Sequence, residues 1–216
     1  NQPRGKAGYM LVDCAYDEKF KEDIFQTIES IAITASVYTR AAILLNLAKL
    51  NWLDQDRNLS LFKKLMHDYN PRLMALPLHN YNPLVYFVNY AIDDLIDFFQ
   101  HTLVYPECYK EQVIILWLGW LHNHNDKRLR SFLDKMCNKS EDARLSLLRF
   151  LSGLKDNINQ ETVDYILDLT DSRFETKEMG EAYDNLFAHI KNWPINFQYQ
   201  IAKSFAVSPL SKYQIR

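Results

Sequence analysis

Hydrophobic residues recur every three to four positions from residue 17 onwards, which is the period of an amphipathic α-helix. The first helix that this pattern predicts has an apolar face made of Phe20, Ile24, Phe25, Ile28 and Ile31. A second predicted helix covers residues 34–53 and repeats the same spacing. The pattern predicts an all-α fold, preceded by a flexible lead-in over residues 1–16.

Prolines and capping residues mark where further helices begin and end. Pro71 ends a third predicted helix, because proline cannot continue the helical hydrogen-bond ladder. Asn82-Pro83 begins a fourth that runs to about residue 103, since a capping side chain followed by proline is a typical helix start. The irregular segment 71–82 between them is the best candidate for a subdomain break within a single domain, 17–216.

Later start signals are regularly spaced. Pairs of predicted helices begin near Pro106, Ser140 and Glu175, about 35 residues apart, which lies in the range of helical repeat arrays. The second helices of the last two pairs are predicted to begin at Asn159 and to cover residues 194–206. The connections within this region are short, so successive helices are expected to be antiparallel neighbours. Trp117 and Trp120 lie in an apolar run of the first of these pairs and are predicted to pack in the core.

The pattern resembles the HEAT-like α-solenoid class. Besides the spaced hairpins, the resemblance is carried by Ser36-Val-Tyr-Thr-Arg-Ala-Ala-Ile-Leu-Leu-Asn-Leu-Ala-Lys-Leu, and it covers residues 17–206. It implies a right-handed stack of antiparallel hairpins and an extended surface on which a protein partner binds. Two arrangements stay open for the N-terminal half, which either continues the array or forms a more globular bundle.

Composition limits the classes of partner and compartment. The chain has 216 residues and a net charge of −2, so its overall charge gives no reason to expect nucleic acid or an anionic membrane. Neither apolar run, 31–53 or 113–121, is both long and uncharged enough to span a bilayer. Three widely separated cysteines favour a reducing, intracellular compartment, either cytoplasmic or nuclear.

A helix start at Ser208-Pro209, close to the chain end, favours a fragment of a larger intracellular protein that carries further domains. No nucleophile elbow, phosphate-binding loop or dinucleotide-binding glycine pattern occurs in the sequence. We therefore expect a protein-interaction or scaffolding module, not an enzyme, with no cofactor and no metal.

One acidic motif supports a weaker alternative, a magnesium-dependent all-α enzyme. Asp93, Asp94 and Asp97 form a DDxxD sequence, in which the first and last carboxylates lie one helical turn apart on one face. A similar motif holds Mg²⁺ on a diphosphate in all-α isoprenoid synthases, and oxygen ligands suit that ion. No matching second acidic motif occurs, so a solvated acidic face is the simpler interpretation.

A basic cluster supports the other alternative, a nucleic-acid-binding repeat. Its candidate phosphate-binding residues lie on two neighbouring predicted helices: Lys127, Arg128, Arg130, Arg144 and Arg149. Interleaved acidic residues, such as Asp126 and Asp134, indicate instead an ordinary solvated surface.

Two further features are a pair of tyrosines and a histidine-rich turn. Tyr81 and Tyr86, beside the irregular segment, are candidates for exposed contact with a partner. The sequence His122-Asn-His124-Asn-Asp126 has too few ligands nearby for a zinc site and is interpreted as a polar turn.

Overall fold

The computed structural model describes residues 3–14, 17, 19–76, 83–88, 90–122, 126–154, 158–170 and 174–213. These ranges contain thirteen α-helices and no strand, which confirms the predicted all-α class. The helices are α1 (Pro3–Cys14), α2 (Lys21–Ile31), α3 (Val37–Leu44), α4 (Gln55–Leu65), α5 (Pro71–Met74), α6 (Pro83–Phe87), α7 (Ile92–Thr102), α8 (Tyr109–His122), α9 (Lys127–Lys139), α10 (Glu141–Ser152), α11 (Gln160–Leu169), α12 (Lys177–His189) and α13 (Ile195–Val207). Short 3-10 helices cover Leu47–Trp52, Pro106–Cys108, Ile190–Asn192 and Pro209–Tyr213.

The segment expected to be a flexible lead-in contains helix α1, which packs on α2 and α3. Val12 is fully buried in this packing, whereas Met10 is exposed. The sequence did not reveal the helix because its apolar residues are not gathered on one face, so the helical period is weak there.

Two long predicted helices are each divided in two. The helix expected over residues 34–53 is α3 followed by the 3-10 helix Leu47–Trp52, and the division falls at Asn46. The Nδ2 atom of Asn46 donates a hydrogen bond of 2.9 Å to the carbonyl of Ala42. The helix expected after Pro83 is α6 followed by α7, because Ala91 has a non-helical backbone with φ −131°.

Capping side chains fix the later helix starts where the sequence places them. The hydroxyl of Ser140 accepts from the backbone N–H of Ala143 at 3.2 Å, and Asn159 Oδ1 accepts from Thr162 N–H at 2.9 Å. Each bond satisfies a backbone donor that the first turn of a helix leaves open. The cap of α12 is Thr176, one residue after the predicted start.

The chain divides into two compact units, 1–133 and 134–216, and the division falls inside α9. The segment 71–82, where a subdomain break is expected, falls within the span of the first unit, and its residues 77–82 are outside the described part of the chain. In the first unit α4 packs on the 3-10 helix Leu47–Trp52, and α6 packs on α8. Its largest fully buried side chains include Trp117, Tyr109, Phe25, Phe87 and Phe99.

The second unit has its own core. Helix α10 packs on α12 and α11 packs on α13, so each helix contacts the one two places along the chain. The 3-10 helix Pro209–Tyr213 packs on both α12 and α13. Tyr165, Tyr183 and Phe205 are buried between these elements.

Two series of helix starts recur at nearly constant intervals along the two units. One series begins at Val37, Pro71, Pro106, Glu141 and Lys177, and a second begins at Gln55, Ile92, Lys127, Gln160 and Ile195. Within each series the interval is about 35 residues, the spacing that the sequence predicts for the later hairpins.

Candidate functional site

The carboxylates of the DDxxD sequence each accept a hydrogen bond from a different neighbour, Arg128 for Asp93, Lys63 for Asp94 and Tyr69 for Asp97, all at 2.5 Å. A magnesium site needs several of these oxygens directed at one point. The described part of the chain contains no group of three or more His, Cys, Asp or Glu residues that could hold a metal ion. The arrangement therefore gives the magnesium alternative no support.

Tyr69 links the turn after α4 to helix α7. Its ring stacks on the ring of His101 with a centroid distance of 3.7 Å, and its hydroxyl donates to Asp97. This hydrogen bond, with partial burial, raises the pKa of Tyr69 to about 12. Tyr69 also has φ 45°, a left-handed backbone conformation that is unfavourable for an aromatic residue. The hydrogen bond and the ring contact together hold the turn against α7.

The basic cluster is partly paired in the first unit. Arg128 forms ion pairs with Asp126 at 2.7 Å and with Asp93 at 2.5 Å. The Arg128 guanidinium lowers the pKa of the Asp126 carboxyl through its hydrogen bonds. Arg130 lies over the ring of Trp120 at 5.1 Å, and Lys127 is exposed.

The remaining members of the cluster, Arg144 and Arg149, belong to the second unit and differ sharply from each other. Arg144 is buried, and its Nε and Nη1 atoms donate to the carbonyls of Cys137 at 2.7 Å and Leu169 at 3.1 Å. Arg149 is exposed. A buried guanidinium that is already bonded to two carbonyls is not accessible to a phosphate, so the nucleic-acid alternative loses one of its five residues.

Arg144 has a counterpart in the first unit that sequence reasoning missed. Arg40 is also buried, and its Nη1 atom donates to the carbonyl of Leu65 at 2.9 Å. Each arginine lies four residues after a serine helix cap, and each bonds the last residue of the helix that follows its own. The repeated Ser-x-x-x-Arg sequence at 36–40 and 140–144 is the signal from which this pair was predictable.

Of the two candidate tyrosines, only Tyr86 lies among the described residues. Tyr81 lies outside the described residues. Tyr86 is half-buried in α6 and meets the edge of the Trp52 ring, with centroids 6.5 Å apart. Trp52 is 78% exposed, so this aromatic pair is accessible from solvent on one side. The polar turn predicted over residues 122–126 cannot be compared with the structure in full, because its residues 123–125 lie outside the described ranges.

Helix α13 presents an apolar face to solvent. Ile195 is 78% exposed and Tyr199 is 65% exposed. Ala202 and Ala206 are exposed too, and the four positions follow one another at intervals of three and four residues, so they share one side of the helix. An adjoining side of the helix, with Ile201 and Phe205, is buried in the second unit.

A shallow, open pocket adjoins this face. Its volume is about 450 Å³, and it is lined by Phe187, Ala202, Phe205, Ala206 and Ser211. The ring of Phe187 meets the ring of Phe205 edge to face, with centroids 5.2 Å apart. We call the exposed face of α13 together with this pocket the α13 surface, defined by Ile195, Tyr199, Ala202, Ala206, Phe187 and Ser211.

The α13 surface is not among the sites expected from the sequence. The helix itself is predicted there from residue 194 to 206, but its apolar residues occur on both sides, so the helical period gives no single core face. The available signal is the composition of α13, which contains one charged residue, Lys203, in thirteen positions.

No protein-family model matches this chain, and comparison with curated proteins and with solved structures gives no match either. Within the ranges that the structure describes, no helix combines the length and apolar character that crossing a bilayer requires.

Proposed function

We propose that this chain is a protein-interaction module and that the α13 surface is where a partner protein docks. The observation that carries the proposal is that α13 is apolar on two sides while the fold buries only one of them. Contiguous exposed apolar surface next to a concave pocket is typical of protein docking sites.

The exposed residues are of the type that contributes most to binding. Burying a large apolar side chain such as Ile195 contributes about 1.5–3 kcal/mol by its transfer from water. Tyrosine is enriched among residues that dominate binding energy, and Tyr199 stands one turn further along the same face. The adjacent pocket, with Phe187 on its wall, is large enough to receive an apolar side chain of the partner.

We also propose that the hairpins stack in a HEAT-like arrangement, which suits the same role. Helix starts recur about every 35 residues in two interleaved series, as in arrays of helical hairpins. Side chains also bond the backbone of a residue 38 or 39 positions earlier in four places: Gln112 to Met74, Trp193 to Leu154, Ser208 to Thr170 and Tyr213 to Glu175. Contacts between each repeat and the next are what a stacked array requires, and such arrays serve mostly as binding scaffolds.

A peptide-display selection tests the docking site. Peptides are selected against the wild-type chain, and their affinities are measured for an Ile195→Asp/Tyr199→Asp variant. The matched control is Ile33→Asp/Tyr38→Asp, which changes the same residue types at positions that are 59% and 62% exposed. Circular dichroism melts verify that both variants fold.

We expect selected peptides to bind the wild type and the control equally. Binding to the α13 variant should weaken by about 30-fold or more, because two residues central to the contact are lost. Peptides that bind both variants alike, or a selection that enriches none, would remove the α13 surface as the docking site.

A further inference from the structure

We infer that the partner of the α13 surface is an amphipathic α-helix of another protein whose apolar anchors are flanked by acidic residues. The inference rests on the proposed function and adds the chemistry of the partner. It follows from the charges around the surface and from the shape of the exposed helix face.

Charged side chains over residues 185–213 have one sign only, and the nearest carboxylate in the sequence, Asp184, lies one turn before Phe187 on α12. Asp184 is the last acidic residue of the sequence, so the region from 185 to 213 contains lysines but no carboxylate side chain. Lys191 and Lys203 are exposed, and no ion pair joins either of them to another described residue. Lys212 already pairs with Glu175 at 2.9 Å. Two cations thus remain available to a partner.

The two available lysines lie on opposite edges of the α13 surface. Lys203 follows Tyr199 by one helical turn and precedes Ala206 by three residues, which places it along one edge of the exposed face. Lys191 lies beyond the other edge, where its carbonyl accepts a hydrogen bond of 3.1 Å from Gln198 Nε2. A partner with apolar anchors along its centre and carboxylates on its flanks complements this order of groups.

The small residues of the surface favour a helix as the docked element. Ala202 and Ala206 lie one turn apart beside the pocket, between the larger side chains of Tyr199 and Phe187. Small side chains at this spacing leave a groove into which the ridge of a second helix packs at close interaxial distance. Helix-in-groove recognition of this kind uses apolar anchors at positions i, i+3, i+4 and i+7 of the partner.

A membrane surface fits these observations less well. An interfacial helix inserts a face of bulky residues into lipid and keeps its opposite face in water. In α13 an adjoining side belongs to the protein core, and two of the four residues that define the exposed face are alanines. Alanines contribute little to lipid insertion, whereas they allow a helix to approach closely.

The test uses three synthetic helical peptides with identical leucine anchors at i, i+4, i+7 and i+11. Their flanking positions carry glutamate, glutamine or lysine. Fluorescence anisotropy measures binding of each peptide to the full chain, to Lys191→Glu/Lys203→Glu, and to the charge-matched control Lys19→Glu/Lys127→Glu, which alters two exposed lysines in the first unit.

For the wild type we expect the glutamate peptide to bind about 5–10-fold more tightly than the glutamine peptide, as two partly exposed charge pairs would give. This preference should fall at high salt, because exposed charges are screened. It should reverse in Lys191→Glu/Lys203→Glu, so that the lysine peptide binds best, and it should persist in the control.

Results that contradict the acidic helical partner differ from those that contradict the docking site itself. If the three peptides bind the wild type equally and lose binding with Ile195→Asp/Tyr199→Asp, the acidic partner is wrong while the docking site stands. If no peptide binds, a helix is not the occupant, and the display selection alone decides the proposed function. Binding of anionic phosphatidylserine vesicles, or a dimer in sedimentation velocity, that disappears in Ile195→Asp/Tyr199→Asp would assign the surface to lipid or to a second copy and overturn the inference.

Discussion

At the scale of single residues, the buried arginines show how one side chain closes the end of a helical hairpin. The last carbonyls of an α-helix have no partner within that helix. Arg40 supplies a donor to Leu65 at the end of α4, and Arg144 supplies one to Leu169 at the end of α11. A guanidinium suits this position because its donors reach several acceptors at once, as Arg40 does with Leu65 and Asp68.

Replacing Arg144 by methionine keeps an apolar stem of similar length but removes the donors to Cys137 and Leu169. We expect the free energy of unfolding to fall by about 1.5–3 kcal/mol, as for hydrogen bonds that involve a charged group. The control, Arg149→Met, changes an exposed arginine on the same helix and should alter it by less than about 0.5 kcal/mol. Urea unfolding measures both, and equal losses would show that Arg144 has no special role.

Trp117 and Trp52 form a matched pair for a test of the core. Trp117 is fully buried in α8, as the sequence predicts, and its ring meets that of Trp120 at 5.0 Å, whereas Trp52 is exposed. Trp117→Ala should destabilise the protein by about 3–5 kcal/mol, through lost burial and the cavity left behind. Trp52→Ala should cost less than about 1 kcal/mol. A small effect at Trp117 in thermal or urea unfolding would contradict the placement of this core.

At the scale of elements, α12 and the 3-10 helix Pro209–Tyr213 approach so closely that Gly180 has no room for a side chain. A Cβ atom at Gly180 would collide with the Cβ of Tyr213 and lie 3.4 Å from the carbonyl of Leu210. The glycine thus lets the 3-10 helix lie against α12, where the Tyr213 hydroxyl donates to the carbonyl of Glu175 at 2.9 Å. Ser211, on the pocket wall, is positioned by the same packing.

Gly180→Ala should therefore displace the 3-10 helix and lower the free energy of unfolding by about 1–3 kcal/mol, as overpacking does. The control is Gly153→Ala, since Gly153 has φ −80° and an added Cβ would meet only ordinary contacts, the nearest at 3.4 Å. That change should be neutral or should stabilise by up to about 1 kcal/mol. The two unfolding curves, compared under one set of conditions, distinguish packing from a general effect of alanine.

At the scale of the whole molecule, the chain consists of two compact units with separate cores. The first holds Trp117, Phe87 and Phe99, and the second holds Tyr165, Tyr183 and Phe205. Regions with their own core open with their own free energy, so a local change need not spread evenly along the chain.

Hydrogen exchange on the Trp117→Ala variant measures this separation. Amides within residues 1–133 should lose most of their protection, because the missing side chain belongs to that core. Amides of α10 to α13 should lose much less. A uniform loss across both units would show instead that the chain opens as a single cooperative body.

The helices were largely predictable from local signals, whereas the places where they are interrupted were not. Ser140 and Asn159 mark their helices unambiguously because a cap acts on backbone atoms only two or three residues away. The interruptions at Asn46 and Ala91 depend on how neighbouring elements pack, and the sequence pattern is helical on both sides of them. The α13 surface was not predicted, because the sequence does not show which apolar side of a helix the assembled core buries.

By itself, the sequence determined the all-α class, the later helix starts, the recurrence of about 35 residues and the burial of Trp117, because period, caps and apolar runs are local. Only the tertiary structure decided that residues 3–14 join the fold, that Arg144 faces inward and that one apolar side of α13 faces solvent. These outcomes depend on which surfaces meet, and residues that meet are separated by tens of positions along the chain. The candidate docking site therefore emerged from packing and not from a motif.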